Sequence, residues 1–332
     1  MTRLAIIGGG GWGTALSIVL APRFDQVRLW VFERDLAARM AESRENDLYL
    51  PGFRVPGNVT VTADLETALE GARIVLGVMP SHHAHRLYTE MLPFLNPSMA
   101  FVSATKGIET GSLLRMSQVI REVLSPAFHP RVAALSGPTF APEIARGDPA
   151  ALVVSSTDAE LARSVQEAFV GPTFRLYRNT DLVGVEVGAA LKNVIAIGAG
   201  VCHGLGMGNN TLAALITRGL AEITRLAVAM GGQPGTLAGL AGLGDLVLTC
   251  NGDLSRNRKV GIELAKGRKL CEILGSTRMV AEGVETTFAA MDLASRHRVE
   301  MPITAQMNAI LKEGRPPREA IRELMERELK GE

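Results

Sequence analysis

The sequence predicts an α/β N-terminal domain with a mainly parallel sheet, followed by an all-α C-terminal domain. Two observations carry this prediction. Short β-rich runs, apolar on both faces, alternate with helical stretches in the first half of the 332 residues. After about Asp181, β-rich runs nearly vanish and long segments with helical spacing follow. We therefore expect two domains, 1–181 and 182–332.

The predicted sheet elements follow in chain order. Strands are predicted at 3–8, 27–32, 73–79, 100–105 and 131–137. Helical patterns between them include 64–70 and 113–123. A further pair of β-rich runs, 150–156 and 173–179, flanks a helix at roughly 158–169 and extends the sheet.

The second half of the sequence predicts a succession of helices. They are predicted at 183–202, 211–230, 256–266, 283–297, 302–313 and 317–330. The last is charged and amphipathic, as expected for a helix with one solvated face. No internal repeat or low-complexity linker separates the halves, so we expect the two domains to pack closely.

Composition narrows the class of protein. Hydrophobic residues make up 47% of the chain and aromatic residues 5%, so aliphatic side chains must fill a large core. The formal net charge of +1 argues against nucleic acid or an anionic membrane as a bulk electrostatic partner, but it allows a local basic pocket. The apolar helical half makes a homodimer the expected assembly.

The cysteines and the apolar segments bear on location. Three scattered cysteines without framework spacing favour reduced thiols in the cytoplasm: Cys202, Cys250 and Cys271. The N-terminus resembles a signal peptide, but Gly8 to Gly11 would break its helix. The stretch 182–208 contains Glu186, Lys192 and His203, and a central charge in a membrane costs about 2.5–3.5 kcal/mol. We expect a cytoplasmic protein without a membrane span.

Three histidines cluster at His82, His83 and His85. A metal site there is the less favoured interpretation, because no nearby cysteine or carboxylate completes a set of ligands. We therefore expect no metal, and the sequence leaves the role of these histidines open.

A glycine-rich turn joins the first strand to the first helix. The run Gly8-Gly9-Gly10-Gly11-Trp12-Gly13 fits G-x-G-x-x-G and precedes the helical stretch TALSIVLA. In a Rossmann-type dinucleotide site, Gly8 permits the tight turn, Gly10 lets the backbone approach the pyrophosphate, and Gly13 lets helix and strand pack closely. The phosphates then lie at the positive end of the helix. A glycine-rich turn without a ligand is the less favoured alternative.

The end of the second strand bears on the choice of dinucleotide. Glu33 falls twenty residues after Gly13, where a carboxylate binds the ribose hydroxyls of NAD. Arg34 could instead face the 2′-phosphate of NADP or stack on adenine, and the two side chains point to opposite sides if the strand persists. Either could also be a surface charge at a strand end. The expected cofactor is NAD or NADP, and the sequence does not choose between them.

A single lysine stands inside an apolar run. Lys192 lies in VEVGAALKNVIAIG, whereas Asp245 follows a glycine-rich stretch and precedes Thr249 by four residues. Burial among apolar neighbours lowers the pKa of a lysine, which can then accept the proton that leaves an alcohol during hydride transfer. Asp245 could hold such a lysine in place. The structural alternative is a buried ion pair or a lysine that reaches water along an apolar surface.

Two further segments suggest anion binding. Ser255 is a good N-cap for a helix that begins at Arg256, and this helix start offers free N–H groups, a guanidinium and Asn257. A capped helix with solvated basic side chains is the alternative. Lys106 comes just after the carboxyl end of a predicted strand, the edge where ligands bind in open α/β sheets.

Together these residues resemble the bacterial-type, NAD(P)-dependent glycerol-3-phosphate dehydrogenases. The matching stretches occur in the family's order over nearly the whole chain. They are GGGGWGTALS, VMPSH, SATKGIE, LSGPTFAPEIARG, GVEVGAALKNVIAIGAG, ALITRGLAEITRLA, AGLGDLVLTC, SRNRKVG and VAEGVETT. The segments ALKNVIAIGAG and GLGDLVLTC are the most specific of them.

The resemblance implies a role for each matching residue. It makes Lys192 the proton acceptor and Asp245 its catalytic partner. The residues implied at the substrate are Lys106, Gly137, Thr139, Lys192, Asn193, Asp245, Thr249, Ser255, Arg256 and Asn257. At the cofactor, the local motif already predicts Gly8, Gly10, Gly13 and Glu33. The resemblance adds Gly11, Trp12, Arg34, Lys106, Ala141, Arg256, Val280 and Glu282. Local features alone would assign several of these, such as Val280 and Ala141, to packing or loop geometry.

The chain departs from the family pattern at the cofactor. Gly11 stands where the family often has serine or alanine, which removes a possible hydroxyl contact. The segment LWVFERD is longer than the family's usual spacing between tryptophan and basic residue, so the resemblance does not assign a role to Arg34 from this spacing. The resemblance therefore also leaves the choice between NAD and NADP open.

The resemblance implies a cytoplasmic enzyme that interconverts dihydroxyacetone phosphate and sn-glycerol 3-phosphate and supplies phospholipid synthesis. A related hydroxyacid dehydrogenase is the rival enzyme, since it would share both halves and a catalytic lysine, and Arg256 could bind its carboxylate. A dinucleotide-sensing module is the rival from another class, and it leaves Lys192 unexplained.

Overall fold

The computed structural model describes residues 3–276, 281–329 and 331. The strands are β1 (Arg3–Ile7), β2 (Gln26–Trp30), β3 (Glu45–Asn46), β4 (Leu50–Arg54), β5 (Val59–Thr62), β6 (Ile74–Gly77), β7 (Ala100–Ser103), β8 (Arg131–Ser136), β9 (Ala150–Ser155) and β10 (Phe174–Asn179). The helices among them are α1 (Gly11–Leu20), α2 (Arg34–Ser43), α3 (Leu65–Leu69), α4 (Ala84–Met91), α5 (Met116–Leu124), α6 (Ala141–Arg146) and α7 (Ala159–Phe169).

The main sheet has the strand order β10-β9-β8-β7-β6-β1-β2-β5, and β3 pairs with β4 in a separate hairpin. Its neighbouring strands run parallel, except that β8 and β9 are antiparallel. Successive strands are added outwards on both sides of β1. The strand order therefore reverses beside β1, and the carboxyl ends of β1 and β6 border the crevice where open α/β sheets bind ligands.

Apolar side chains fill both faces of this sheet. Alternate residues of β1 point in opposite directions, so Leu4 and Ile6 join one core cluster while Ala5 and Ile7 join the other. This two-sided burial is why the strands read as continuous apolar runs in the sequence.

The helical half is built around its first helix. Its helices are α8 (Leu182–Gly204), α9 (Asn209–Ala229), α10 (Pro234–Leu237), α11 (Asp245–Asn251), α12 (Arg256–Ala265), α13 (Leu270–Gly275), α14 (Glu282–His297), α15 (Pro302–Asn308) and α16 (Pro317–Met325). Helix α8 packs against α9, α11, α12 and α14. It is long and apolar enough to cross a membrane, but 94% of its apolar window is buried inside the protein, as in the central helix of a packed domain.

The predicted fold class is confirmed, and the errors lie at element boundaries. The second strand ends at Trp30 rather than at residue 32, and the chain then enters α2. The helix predicted at 113–123 begins at Met116, because Leu113 has φ +62° and Arg115 pairs with Ile108. The helix predicted at 302–313 spans that range, α-helical to residue 308 and π-helical from there to residue 313. The last helix, predicted to reach residue 330, ends at Met325, after which the described side chains are exposed.

The change from strands to helices occurs within a few residues. Strand β10 ends at Asn179 and α8 begins at Leu182, with Asp181 as the N-cap whose carboxylate accepts from the Gly184 N–H at 2.8 Å. We propose the domain boundary at this cap. Short elements that the sequence did not reveal include β3, β4, β5, α2, α4, α6, α10, α11 and α13.

Candidate active site

The glycine-rich turn lies between β1 and α1, as predicted. Gly8 has φ +127°, and its N–H donates to the carbonyl of Trp30 at 3.1 Å. A Cβ on Gly13 would overlap the carbonyl oxygen of Gly8, so glycine is required for α1 to approach the turn this closely. A Cβ on Gly10 would meet no atom within 4 Å, and α1 begins at the next residue. The turn is thus open beside the free N–H groups of the helix start.

A buried asparagine ties a second loop to this turn. The Asn46 amide donates to the Gly9 carbonyl and to Thr14 Oγ1, both at 2.8 Å, and its oxygen accepts from the Tyr49 N–H at 3.0 Å. The Tyr49 carbonyl oxygen lies 2.8 Å from the position of a Cβ on Gly11, so this loop leaves no room for a larger residue there. Sequence reasoning missed Asn46 and Tyr49 because these contacts join residues distant in the chain and neither belongs to the glycine motif.

Glu33 and Arg34 stand at the start of α2 instead of alternating along a strand. Glu33 is half-buried, and its Oε1 accepts a hydrogen bond from the Tyr49 hydroxyl at 2.7 Å. Arg34 is the first residue of α2, and its side chain is exposed. Phe32 is 63% exposed, and the Arg86 guanidinium lies 5.9 Å from its ring centroid. Glu33 and Arg34 thus both lie just after the carboxyl end of β2, on the ligand-binding edge of the sheet.

The centre of the site is one carboxylate between two ammonium groups. Asp245, at the start of α11, is fully buried; its Oδ1 accepts from Lys192 Nζ at 2.7 Å and its Oδ2 from Lys106 Nζ at 2.8 Å. Lys192 also donates to Thr249 Oγ1 at 2.8 Å. Lys106 comes from the sheet half, whereas Asp245 and Lys192 come from the helical half. The carboxylate therefore joins the two halves, and two positive charges face one negative charge.

Lys192 is the predicted proton carrier, and its surroundings suit that role. It is 5% exposed on the central helix. Burial lowers its pKa to about 8, although the Asp245 carboxylate opposes this shift, and Lys106 lowers the pKa further. A lysine with a pKa near 8 can both hold and release a proton near neutral pH, as acid–base catalysis requires.

Lys106, which follows the carboxyl end of β7, contacts the loop at the carboxyl end of β8. Its Nζ donates to the Gly137 carbonyl at 2.9 Å and to Thr139 Oγ1 at 3.1 Å. It also lies 6.0 Å from the centroid of the Trp12 ring, beside the glycine-rich turn. The Lys106 carbonyl accepts from Asn193 Nδ2 at 3.3 Å. The structure thus brings these sequence-predicted residues together around one ammonium group.

The residues predicted to bind an anion lie at the start of α12. The Ser255 hydroxyl caps the helix by accepting from the Arg258 N–H at 3.2 Å. Arg256 is exposed, and its Nη2 lies 3.5 Å from the position of a Cβ on Gly11, which places the guanidinium beside the glycine-rich turn. Asn257 is buried, and its Oδ1 accepts from the Gly283 N–H at 2.9 Å, so its amide nitrogen remains as a donor.

Glu282 brings a second carboxylate into the crevice. Its Oε2 is buried and has no hydrogen-bond partner among the residues that the structure describes. Burial raises its pKa to about 7, against the opposing charges of Arg256, Lys192 and Lys106. A Cβ on Gly107 would lie 2.9 Å from Glu282 Oε2 and would overlap the side chain of Ser81. Sequence reasoning did not single out Ser81 as a neighbour of this carboxylate.

The remaining predicted positions are less central. Ala141 begins α6, which packs against α1, and Val280 lies outside the described residues. The rings of His82 and His83 lie 4.0 Å apart, and His85 lies 3.7 Å from Glu122. In the described part of the chain, no group of three histidine, cysteine or acidic residues could hold a metal ion.

Comparisons with known proteins agree with this geometry. Models of the N-terminal and C-terminal parts of NAD-dependent glycerol-3-phosphate dehydrogenase match residues 3–162 and 181–322. The glycerol-3-phosphate dehydrogenase (NAD(P)+) of Koribacter versatilis is 61% identical and that of a Geobacter species 53% identical; each alignment covers at least 98% of both chains. A crystal structure of glycerol-3-phosphate dehydrogenase from Coxiella burnetii, 40% identical, superposes with a TM-score of 0.94 over 98% of this chain and 99% of that one. The chain belongs to the NAD-dependent glycerol-3-phosphate dehydrogenase family.

Proposed function

We propose that this protein catalyses the reversible reduction of dihydroxyacetone phosphate to sn-glycerol 3-phosphate with NADH or NADPH. Family membership and the names of its relatives support the reaction. One observation carries the assignment of the site. The buried Lys192–Asp245 pair lies in the same crevice as the glycine-rich turn, to which Lys106 and Trp12 connect it.

The residues of the crevice fit a dinucleotide. The turn is open at Gly10, and the start of α1 presents free N–H groups to a pyrophosphate. Glu282 offers a buried carboxylate oxygen that no described residue bonds, and a polar ligand group would satisfy it. When bound, the nicotinamide supplies a hydride to carbon 2 of the substrate or accepts one from it.

Lys192 is the proposed general acid and base. During reduction its ammonium group donates a proton to the carbonyl oxygen, and during oxidation its neutral amine accepts the proton of the hydroxyl. Asp245 and Thr249 fix the position of the nitrogen through bonds of 2.7 and 2.8 Å. Lys106 adds a positive charge 2.8 Å from the same carboxylate, which stabilises negative charge that develops on the substrate oxygen.

The substrate phosphate is proposed to bind at the start of α12. Arg256 offers a guanidinium, Asn257 its amide nitrogen, and the helix its free N–H groups and positive dipole end. This anchor would hold carbon 2 in place beside Lys192, and such positioning lowers the barrier to reaction.

The assay that tests this proposal follows the absorbance of NADH and NADPH separately with dihydroxyacetone phosphate. We expect dihydroxyacetone phosphate to be reduced, whereas 2-keto and 3-keto acids are not. Turnover of a keto acid in preference to dihydroxyacetone phosphate would favour the rival hydroxyacid dehydrogenase. Dinucleotide binding with no turnover of any of these substrates would favour the sensing module.

The rival hydroxyacid dehydrogenases share the fold of this chain. A ketopantoate reductase from Ralstonia eutropha superposes with a TM-score of 0.61 at 17% identity, and a D-mandelate dehydrogenase with 0.63 at 10%. At such low identity the likeness extends to the fold alone. The helix start at Arg256 could bind a carboxylate as well as a phosphate, so the assay with keto acids is the decisive comparison.

The cellular setting is also part of the proposal. We propose that the enzyme works in the cytoplasm and supplies sn-glycerol 3-phosphate for phospholipid synthesis. The absence of a disulfide supports a reducing compartment, since the three cysteines are free: Cys202, Cys250 and Cys271. A homodimer is the proposed assembly, and its test is the mass of the purified protein in solution.

A further inference from the structure

The carboxylate of Glu33 is held in a fixed position at the ligand-binding edge of the sheet. Although Glu33 is the N-cap residue of α2, its side chain forms no capping bond. Instead its Oε1 accepts from the Tyr49 hydroxyl at 2.7 Å, whereas its Oε2 has no hydrogen bond among the residues that the structure describes. One oxygen is therefore anchored, and the other remains an acceptor.

The hydrogen bonds that position Glu33 extend to the glycine-rich turn. Tyr49 is held through its backbone N–H by Asn46, which is fully buried and bonds to Gly9 and Thr14. A chain of four hydrogen bonds thus sets the position of the Glu33 carboxylate relative to the turn. Such pre-organisation means that little ordering is required when a ligand hydroxyl binds the carboxylate.

The basic groups nearby are not held in this way. Arg34 is exposed, and its guanidinium makes no hydrogen bond to the described residues. Arg86 lies against the exposed ring of Phe32 and 3.8 Å from Glu90. To bind a 2′-phosphate, Arg34 would have to lose side-chain freedom, and the phosphate would still lie close to the fixed negative charge of Glu33.

We infer that Glu33, anchored by Tyr49, makes this enzyme select NADH over NADPH. The inference rests on the proposed dinucleotide-dependent function and assigns the choice that the sequence leaves open. The carboxylate accepts hydrogen bonds from the adenosine ribose hydroxyls of NADH, as at the end of the second strand in dinucleotide-binding folds. The same carboxylate repels a 2′-phosphate and offers it no hydrogen-bond donor.

Equilibrium binding tests this inference without substrate or turnover. NADH and NADPH are titrated separately into the purified protein, and binding is followed by isothermal titration calorimetry. We expect the Kd for NADH to be at least about tenfold below that for NADPH, since about 1.4 kcal/mol of repulsion suffices for such a ratio. Equal affinities, or tighter binding of NADPH, would overturn the inference.

Two variants assign the preference to the anchored carboxylate. Glu33→Gln removes the charge but keeps an oxygen that can accept from Tyr49, and we expect it to reduce the ratio of the two affinities by at least about tenfold. Tyr49→Phe frees the carboxylate, and we expect it to weaken NADH binding by up to about tenfold. The matched control is Glu42→Gln, an exposed carboxylate on the same helix, which should leave both affinities unchanged.

The outcomes separate this inference from the proposed function. An unchanged ratio in Glu33→Gln, or an equal change in Glu42→Gln, would overturn the role of Glu33. Binding of neither dinucleotide would remove the proposed function and this inference with it. Tight, selective NADH binding without reduction of dihydroxyacetone phosphate would contradict the proposed function but support the inference.

Discussion

At the scale of single residues, the proposed chemistry follows from an imbalance of charge. One buried carboxylate, Asp245, bonds to Lys192 and Lys106 through different oxygens. A single negative charge cannot fully stabilise two ammonium groups, and burial lowers the pKa of Lys192 to about 8 in spite of its ion pair. The same excess of positive charge suits a substrate that carries a phosphate and develops an alkoxide.

Replacing Lys192 with alanine should abolish the proton transfer and preserve cofactor binding. We expect kcat to fall by at least about 100-fold, the low end of the contribution of a general acid or base. The Kd for NADH should change little, because the turn and the loop around Asn46 are untouched. Steady-state kinetics and calorimetry measure the two quantities. An enzyme that keeps its turnover without Lys192 would refute the assigned role.

The pKa of Lys192 predicts opposite pH dependence in the two directions. Oxidation of glycerol 3-phosphate needs the neutral amine, so its kcat/KM should rise with pH and level off above about 8. Reduction of dihydroxyacetone phosphate needs the ammonium form, so its kcat/KM should fall as pH increases above about 8. Initial rates between pH 6 and about 10 test this, with thermal melts to exclude unfolding. Parallel profiles in both directions would argue against a lysine with this pKa.

Replacing Arg256 with alanine should mainly impair use of the phosphorylated substrate. A charge-assisted hydrogen bond contributes about 1.5–3 kcal/mol, which corresponds to an increase of roughly 10- to 100-fold in KM for dihydroxyacetone phosphate. Lys259→Ala, an exposed neighbour on α12, is the matched control and should leave KM unchanged. If unphosphorylated dihydroxyacetone loses as much activity as its phosphate, Arg256 does not serve as the phosphate anchor.

At the scale of elements, glycine contacts between α8 and α12 set the distance between Lys192, the proposed acid, and the proposed phosphate anchor at the start of α12. A Cβ on Gly200 would overlap the backbone oxygen of Arg258, and one on Gly261 would overlap that of Ile197. The two helices therefore pack with their backbones in contact. Since α8 carries Lys192 and α12 begins at the proposed phosphate seat, this crossing fixes the separation of the two groups.

Alanine at Gly200 should force these helices apart. Overpacking costs about 1–3 kcal/mol of folding free energy, and the displaced start of α12 should also raise KM for the phosphorylated substrate. Gly235→Ala is the matched control, because a Cβ on that helical glycine would meet nothing within 4 Å. Chemical denaturation and steady-state kinetics measure the two effects. Unchanged stability in Gly200→Ala would show that the crossing can relax.

Elements with a strong local signal could be predicted, and those that depend on tertiary contacts could not. The glycine-rich turn and α8 were predicted because a motif and a long apolar run identify them. The sequence does not indicate the β3–β4 hairpin or the contact between Tyr49 and Glu33, because the fold alone brings these two side chains to 2.7 Å. The sequence predicts too late an end for β2, because apolar residues continue to Phe32 although the strand pairing stops at Trp30.

At the scale of the whole molecule, buried polar contacts fix the two halves together. Glu186 of α8 is 5% exposed and accepts from the N–H and the hydroxyl of Ser117, both at 2.7 Å, and from the Arg115 guanidinium. An apolar cluster that includes Val185 and Val153 lies between the helix and the sheet. These contacts hold Lys106 of one half against Asp245 of the other, so the proposed catalytic site depends on the alignment of both halves.

Glu186→Gln should therefore lower the stability of the whole protein. It preserves the shape but leaves Arg115 as a buried, unpaired charge, which costs about 3–5 kcal/mol in unfolding free energy. Glu285→Gln, an exposed carboxylate on α14, is the matched control. Replacing both partners, with Arg115→Met and Glu186→Leu, should recover much of the loss, because no unpaired charge remains. If Glu186→Gln is no less stable than the control, the alignment of the halves rests on the apolar contacts instead.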